Sequence, residues 1–315
     1  MTPILTVTLN PTVDLSIATA QVLPDRKLRC TAPQEDPGGG GINVSRAIAA
    51  MGGQSTAFVA LGGAIGTKVT GLLAAQGIGV VPFPAPGETR QSLTVDDLAS
   101  NQQYRFVMPG PCWSASDVAS ALSQIARALP EGGIVVLSGS QPPGVPEDFP
   151  ARLADHLAPV RARLFLDTSG PALLHLMQRK HRAADFLRMD DLEAEELAGR
   201  PLPTRRDTAD FAQELVVLGL ADCVLIARGA DGNVMATREG RWVADAARVK
   251  IASRVGAGDS FVAGFTWALA RGLDLPQALQ HGAAAASAAV MTPATELCHG
   301  EDIEALLPQC PLHSV

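Results

Sequence analysis

Strand-like and helix-like stretches alternate along almost the whole chain, and this rhythm limits the possible folds more than any other feature. Short apolar or β-branched runs at Ile4–Leu9, Thr56–Leu61, Ile78–Phe83, Ile134–Leu137, Leu164–Asp167, Phe186–Met189 and Cys223–Ala227 read as strands. Helix-period stretches lie between them, at Ile42–Met51, Gly66–Gln76, Val118–Leu129, Phe149–Leu157, Ala172–Met177, Leu192–Leu197 and Asp207–Leu218. Asn233–Thr237 and Arg241–Val243 read as a hairpin, and Phe261–Ala270 and Leu275–Val290 as the clearest C-terminal helices. Such alternation builds right-handed βαβ units. The expected fold class is therefore α/β, a mostly parallel sheet between two helix layers. Ligands of such sheets sit beyond the carboxyl ends of the strands.

Two stretches, Asp14–Thr31 and Thr89–Val107, break the rhythm. They are polar and strand-like, and fit a small β-sheet that projects from the core as a lid. The expectation is one domain over residues 1–315, with these two segments as its lid. The hydrophobic fraction of 47% against 18% charged residues fits a globular chain, and a net charge of −7 argues against a general nucleic-acid binder. The five cysteines are scattered and lack C-x-x-C spacing, as reduced thiols of a cytoplasmic protein would be. The N-terminus reads as a first strand, not a signal peptide. No apolar run approaches the ~18 residues of a membrane span.

Against this scaffold, Gly256-Ala257-Gly258-Asp259-Ser260 stands out as a small-residue turn feeding an apolar helix. Unpaired N–H groups at a helix start attract anions, and a carboxylate in the same turn can take a proton from a nucleophile. An ordinary Asp helix cap would look the same. Gly38–Gly41 also runs directly into a helix, so the backbone there can approach a ligand closely. Asn43 and Asp14 are polar groups suited to sugar hydroxyls. Lys27, Arg29, Arg90 and Arg105 put positive charge on the projecting stretches, and Arg grips phosphate bidentately. Gly62–Lys68 has the wrong spacing for a Walker-type phosphate loop. Neither G-x-S-x-G nor H-E-x-x-H occurs.

Lys27-Leu28-Arg29-Cys30-Thr31-Ala32-Pro33, Pro37–Val44, Gln103–Gly110, Ser138-Gly139-Ser140 with Pro142-Pro143-Gly144, and Val255–Ser260 together carry a family resemblance. The chain resembles the ribokinase-like carbohydrate kinases and, among them, the minor bacterial 6-phosphofructokinase (isozyme 2) subgroup. The resemblance implies a three-layer α/β/α core, a β lid that clasps a second subunit into a homodimer, and ATP and Mg²⁺. The implied substrate is fructose 6-phosphate, with fructose 1,6-bisphosphate as product. It implies Asp259 as the base and Gly256, Ala257 and Gly258 as an anion hole. Asp14, Gly39, Gly40 and Asn43 would hold the sugar, Arg90, Arg105 and Ser140 its phosphate region, and Lys27 would reach in from the lid across the dimer.

On the nucleotide side the chain departs from the family pattern. The usual K-P-N-x-x-E is Arg188-Met189-Asp190-Asp191-Leu192-Glu193, which retains Glu193 and places a carboxylate, Asp190, where Asn is usual. Both are candidate Mg²⁺ ligands, because Mg²⁺ takes oxygen donors. The usual T/S-x-G-x-x-G is Ala227-Arg228-Gly229-Ala230-Asp231-Gly232, without the hydroxyl at Ala227. Arg188, Asp190, Ala227, Arg228, Gly229, Gly232 and Ser287 are the implied nucleotide residues. Ser253, Val255, Ala289, Thr292 and Ala294 are the implied carbonyl ligands of a monovalent cation such as K⁺. Tagatose 6-phosphate or fructose 1-phosphate are alternative substrates, although the 1-phosphofructokinase branch usually has Lys where Gly39 stands. A catalytically weak sugar-phosphate-binding protein is the reading from another class.

Overall fold

The computed structural model describes residues 1–129, 131–177, 184–293 and 296–315. The chain opens with β1 (Ile4–Thr8), leaves for a side sheet through β2 (Thr12–Thr19) and β3 (Gln34–Gly38), and returns in α1 (Gly40–Ala50). Next come β4 (Thr56–Leu61), α2 (Gly63–Ala75) and β5 (Gly79–Pro84); β6 (Arg90–Asp97) and β7 (Gln102–Val107) form a second excursion. Helices and strands then alternate through α3 (Ala115–Ala128), β8 (Ile134–Ser138), α4 (Phe149–Leu157), β9 (Arg163–Asp167), α5 (Gly170–Leu176), β10 (Ala184–Met189) and α6 (Asp191–Ala198). After α7 (Arg205–Val217) and β11 (Ala221–Ala227), the hairpin of β12 (Asn233–Thr237) and β13 (Arg241–Ala244) follows. The chain ends with α8 (Ala257–Ala270), α9 (Leu275–Ala289), α10 (Gly300–Leu306) and β14 (Leu312–Ser314).

The main sheet has ten strands in the order β14-β13-β12-β11-β10-β9-β8-β1-β4-β5. From β11 to β5 every neighbouring pair is parallel, while β12, β13 and β14 join antiparallel. Successive side chains of a strand face opposite ways. Ile134 and Val136 of β8 accordingly join a core with Val44 of α1, Phe261 of α8 and Ala284 of α9. Val135 and Leu137 join the other core, with Ile125 of α3, Leu153 of α4 and Leu215 of α7. Both faces being covered is why these strands read as continuous apolar runs. Small residues let α8 and α9 pack closely: a Cβ on Gly264 would lie 2.7 Å from the Ala285 Cβ.

The second sheet has four strands in the order β3-β2-β6-β7. Its central pair β2–β6 is parallel, and β3 and β7 flank it antiparallel. This corrects the first lid segment. Its strand begins at Thr12 and stops at Thr19, and the chain then continues without strand, apart from a Thr19–Cys30 bridge, to β3. Gln34-Glu35-Asp36-Pro37-Gly38 has no apolar alternation; pairing with β2 alone makes it a strand, and its edge position accommodates Pro37. β14, an edge strand of three residues, was likewise not foreseen. Among the described residues no helix is long and apolar enough to cross a membrane.

Candidate active site

The strand order reverses at β1: the chain builds outward to β4 and β5, then returns to β8 on the other side. Such a reversal opens a crevice at the carboxyl ends of the strands, and the glycine run lies across it. Gly39 has φ +120°, and a Cβ there would meet the Thr8 Cγ2 of β1 at 2.6 Å. A Cβ on Gly40 would sit 2.2 Å from the Ser138 Oγ at the end of β8. Only glycine lets α1 start this close to the sheet. One turn later, the Asn43 Nδ2 donates to the Asp259 Oδ2 at 2.9 Å, a contact spanning 216 residues of sequence.

Asp259 lies in the first turn of α8, whose N-cap, Gly256, has φ +77° and supplies no capping side chain. The first amides of a helix have no acceptor within it and carry the positive end of its dipole. Burial pushes the Asp259 carboxyl up to about 7, and the neighbouring Asp167 carboxylate adds to the rise. The Asn43 hydrogen bond and the Arg188 and Arg46 charges oppose it. A carboxyl tuned to this range can accept a proton near neutral pH and return it afterwards.

The turn separates two cavities. The smaller, about 470 Å³, is lined by Asp14, Gly39, Asn43, Arg46, Arg90, Arg105, Gly256 and Asp259, with Thr12 and Ser92 of the side sheet. The larger, about 830 Å³, is lined by Arg188, Asp190, Ala227, Gly229, Arg248, Ala257, Gly258 and Ser287, with apolar Val249, Ile251, Phe261 and Val290. Asp259 thus lines the arginine-rich cavity, and Ala257 and Gly258 line the other. Arg254 lines both. Burial raises the Asp14 carboxyl, with Arg90 acting against it. Arg90 is itself anchored, with Nη2 donating to the Asn10 carbonyl at 3.1 Å and Nη1 to the Met108 carbonyl at 3.1 Å.

Several expected site residues lie elsewhere. Gly40 is wedged against β8 and lines neither cavity. Ser140 accepts from the Asn10 Nδ2 at 3.2 Å, outside both cavities. Lys27 is exposed on the loop between β2 and β3 and reaches neither cavity within this chain. Arg228 points away from the nucleotide side: its guanidinium donates to the Leu202 and Pro203 carbonyls and pairs with Asp231 at 2.9 Å. Gly232 is needed for the hairpin, since a Cβ would lie 2.2 Å from the Ala244 carbonyl oxygen.

The acidic pair has a structural explanation. Asp190 caps α6: its Oδ1 accepts from the Glu193 amide at 2.8 Å, and the Glu193 Oε2 accepts from the Asp190 amide at 2.8 Å. Asp190 lines the larger cavity and Glu193 does not. Burial, above all, raises the Glu193 carboxyl. Among the described residues no group of three or more His, Cys, Asp or Glu forms a metal site. Of the expected monovalent-cation ligands, Ala289 already accepts at its carbonyl from the Thr292 amide at 3.2 Å and hydroxyl at 2.8 Å. The Ser253 amide donates to the Val290 carbonyl at 3.3 Å, so Ser253, Ala289 and Thr292 do gather there. Val255 lines the smaller cavity, and Ala294 lies outside the described residues.

Four further charged side chains stand at or beside the two cavities. Arg46 lines the smaller cavity, paired with Asp36 at 3.3 Å. Asp167, at the end of β9, accepts from the Arg188 Nη1 at 3.0 Å and from the Ser138 Oγ at 3.1 Å. Arg248 and Arg254 lie on the loop before α8. Only Arg254 had a local signal, two residues ahead of the glycine turn; the others depend on which strand ends adjoin.

A helix start whose Asp259 lines an arginine-rich cavity while Ala257 and Gly258 line a second one suits a phosphotransferase with an alcohol acceptor. The chain belongs to the pfkB family of carbohydrate kinases, whose model matches residues 7–301. The ATP-dependent 6-phosphofructokinase isozyme 2 of Escherichia coli (strain K12) is 38% identical over 304 residues, 96% of this chain and 97% of that protein. The solved structure of phosphofructokinase-2 from Escherichia coli in complex with potassium has TM-score 0.91 at 37% identity, over 98% of this chain and 99% of that one. The structure from the same organism in complex with fructose-6-phosphate has TM-score 0.89 at 36% identity, over 98% of this chain and 99% of that one. The fold is the ribokinase-like three-layer one that the sequence resemblance implied.

Proposed function

We propose that this kinase transfers the terminal phosphoryl group of ATP to the 1-hydroxyl of fructose 6-phosphate, giving fructose 1,6-bisphosphate and ADP. One observation carries the reading: the helix turn bearing Asp259 divides an arginine-rich cavity from a larger, more apolar one. The sugar phosphate occupies the former, with its phosphate toward Arg90 and Arg105 and its hydroxyls toward Asp14 and Asn43. ATP occupies the latter, its base against Val249, Ile251 and Val290, and its phosphates toward Arg188 and the start of α8. The names of the similar proteins support this choice of substrate.

Asp259 takes the proton of the 1-hydroxyl. That oxygen forms a bond to the terminal phosphorus while the bond from phosphorus to the bridging oxygen breaks, and ADP leaves. The amides of Gly256, Ala257 and Gly258 hold the developing charge. Mg²⁺ bound with the nucleotide would neutralise charge on the transferring phosphates. The second oxygen of Asp190 is the protein group that would meet it, and Glu193 holds that side chain through the cap. Ser253, Val255 and Thr292 are the retained candidates for K⁺.

A homodimer through the side sheet belongs to the same reading. Phe106, Val107 and Met108 are 53%, 63% and 42% exposed, an apolar strip at the outer strand and its end. In the dimer, Lys27 would serve the neighbouring subunit. The whole chain would act as one kinase domain in the cytoplasm. A coupled ADP-release assay with Mg-ATP and a panel of fructose 6-phosphate, tagatose 6-phosphate and fructose 1-phosphate tests the proposal. Highest kcat/KM with fructose 6-phosphate is expected. Preference for another member reassigns the substrate, and ADP release at background with all of them sinks the kinase reading in favour of a binding protein.

A further inference from the structure

We propose that Arg254 holds the phosphoryl group in transit, a role that rests on the two-cavity reading above. The arginines around the turn fall into two sets. Arg46, Arg90 and Arg188 are committed to Asp36, to the Asn10 and Met108 carbonyls, and to Asp167 respectively. Arg105, Arg248 and Arg254 have no hydrogen bond or ion pair among the described residues, so their guanidiniums are available to an anion. Within this second set, Arg105 lines only the smaller cavity and Arg248 only the larger. Arg254 alone lines both, beside the turn that carries Asp259.

Its backbone is fixed although its side chain is free. The Ala252 amide donates to the Val290 carbonyl at 2.8 Å, and the Val255 amide to the Ser253 Oγ at 3.1 Å. A charged fork is thereby hinged at the boundary between donor and acceptor. In a loose phosphoryl-transfer transition state, charge spreads over three equatorial oxygens, and a planar guanidinium can follow them from one cavity to the next. The only proton that moves goes from the acceptor hydroxyl to Asp259. A contact strongest in the transition state lowers kcat when removed and leaves both KM values nearly unchanged.

The test uses the full chain with Arg254→Met and Arg254→Lys, each checked for wild-type melting. With saturating substrates, Arg254→Met should lose roughly 10²–10³-fold in kcat with each KM within about threefold. Arg254→Lys should fall between, and added guanidinium should restore part of the Arg254→Met loss. A kcat within about twofold of wild type, or a loss confined to the KM of one substrate, overturns the proposal. A second measurement needs no acceptor: calorimetric binding of Mg-ADP with and without aluminium fluoride, a mimic of the transferring group. Arg254→Met should keep its Mg-ADP affinity and lose the gain from fluoride; an undiminished gain overturns the role. If the wild type turns over no sugar phosphate, the acceptor assignment falls while this binding comparison still decides Arg254.

Discussion

The two cavities on either side of α8 are built by different means. The smaller is walled by charge and hydrogen bonds drawn from three separate places: α1, the side sheet and the start of α8. Its key contacts are fixed across the fold, as in the Asn43–Asp259 hydrogen bond and the Arg46–Asp36 pair. The larger is bordered by apolar side chains from the loop before α8, from α8 and from α9, together with charged groups such as Arg188, Asp190 and Arg248. A small, polyhydroxylated anion needs directional partners to be distinguished from its epimers. A nucleotide base needs mainly a slot. Three of the chain's departures from the family pattern, Arg188, Asp190 and Ala227, line the larger cavity.

The largest effect should come from the carboxylate at the turn between the two cavities. Asp259→Asn should lower kcat by ~10³-fold while sugar-phosphate affinity, measured by calorimetry, changes by a few fold at most. Near-normal turnover would take the base role from Asp259. Titration gives the next effect. With the carboxyl near 7, kcat/KM should climb about tenfold per pH unit below neutrality and flatten above it, so pH 5 lies roughly a hundredfold below the plateau. Stability should run the other way. The folded carboxyl holds its proton to higher pH than the unfolded one, so its contribution is full below the unfolded pKa of about 4 and is lost as pH rises through about 7. Asp259→Asn should therefore melt above wild type at pH 8, with the gap closing towards pH 4. A gap independent of pH would show that the carboxyl is not raised.

A paired substitution addresses the walls. Arg105→Met should raise the sugar-phosphate KM about tenfold, equivalent to ~1.4 kcal/mol, with the ATP value unchanged; Arg248→Met should do the reverse. Among the described residues neither guanidinium makes a hydrogen bond or ion pair, and Asp14, which Arg105 influences, keeps Arg90 as its stronger cationic neighbour. If both variants shift the same KM, the assignment of cavities to substrates is wrong.

These contrasts also explain what the sequence could convey. The turn at Gly256–Asp259 and the run at Gly38–Gly41 were legible because a glycine turn entering a helix is a local pattern. The parallel core was legible because strands buried on both faces leave apolar runs. β3 was missed because Gln34–Gly38 becomes a strand only through pairing with β2. Asp167 was missed because an Asp at a strand end is unremarkable until Arg188 arrives from the adjacent strand. The family resemblance implies Arg228 and Gly232 on the nucleotide side, whereas in the structure Arg228 ties the loop before α7 and Gly232 shapes a hairpin.

The smallest expected effect bears on the family departure at Asp190. As a helix cap, Asp and Asn are nearly equivalent, so Asp190→Asn should keep the Glu193 amide paired and change stability by about 0.5 kcal/mol or less. Asp191 and Glu193 continue to complement the helix dipole in the first turn. The electrostatic consequence depends on what the second oxygen of Asp190 does. If that oxygen only lends negative charge to the cavity wall, Asp190→Asn removes a repulsion that water largely screens. The KM for Mg-ATP should then fall about two- to threefold, and free ATP should inhibit more strongly. If it binds the metal, the sign reverses, and activity at limiting Mg²⁺ should drop while saturating Mg²⁺ restores it. The proposed function expects the second outcome, because the cap fixes one carboxylate oxygen on the Glu193 amide and leaves the other to the metal. Mg²⁺ titrations of wild type and Asp190→Asn at fixed ATP separate the two by the direction of the shift alone.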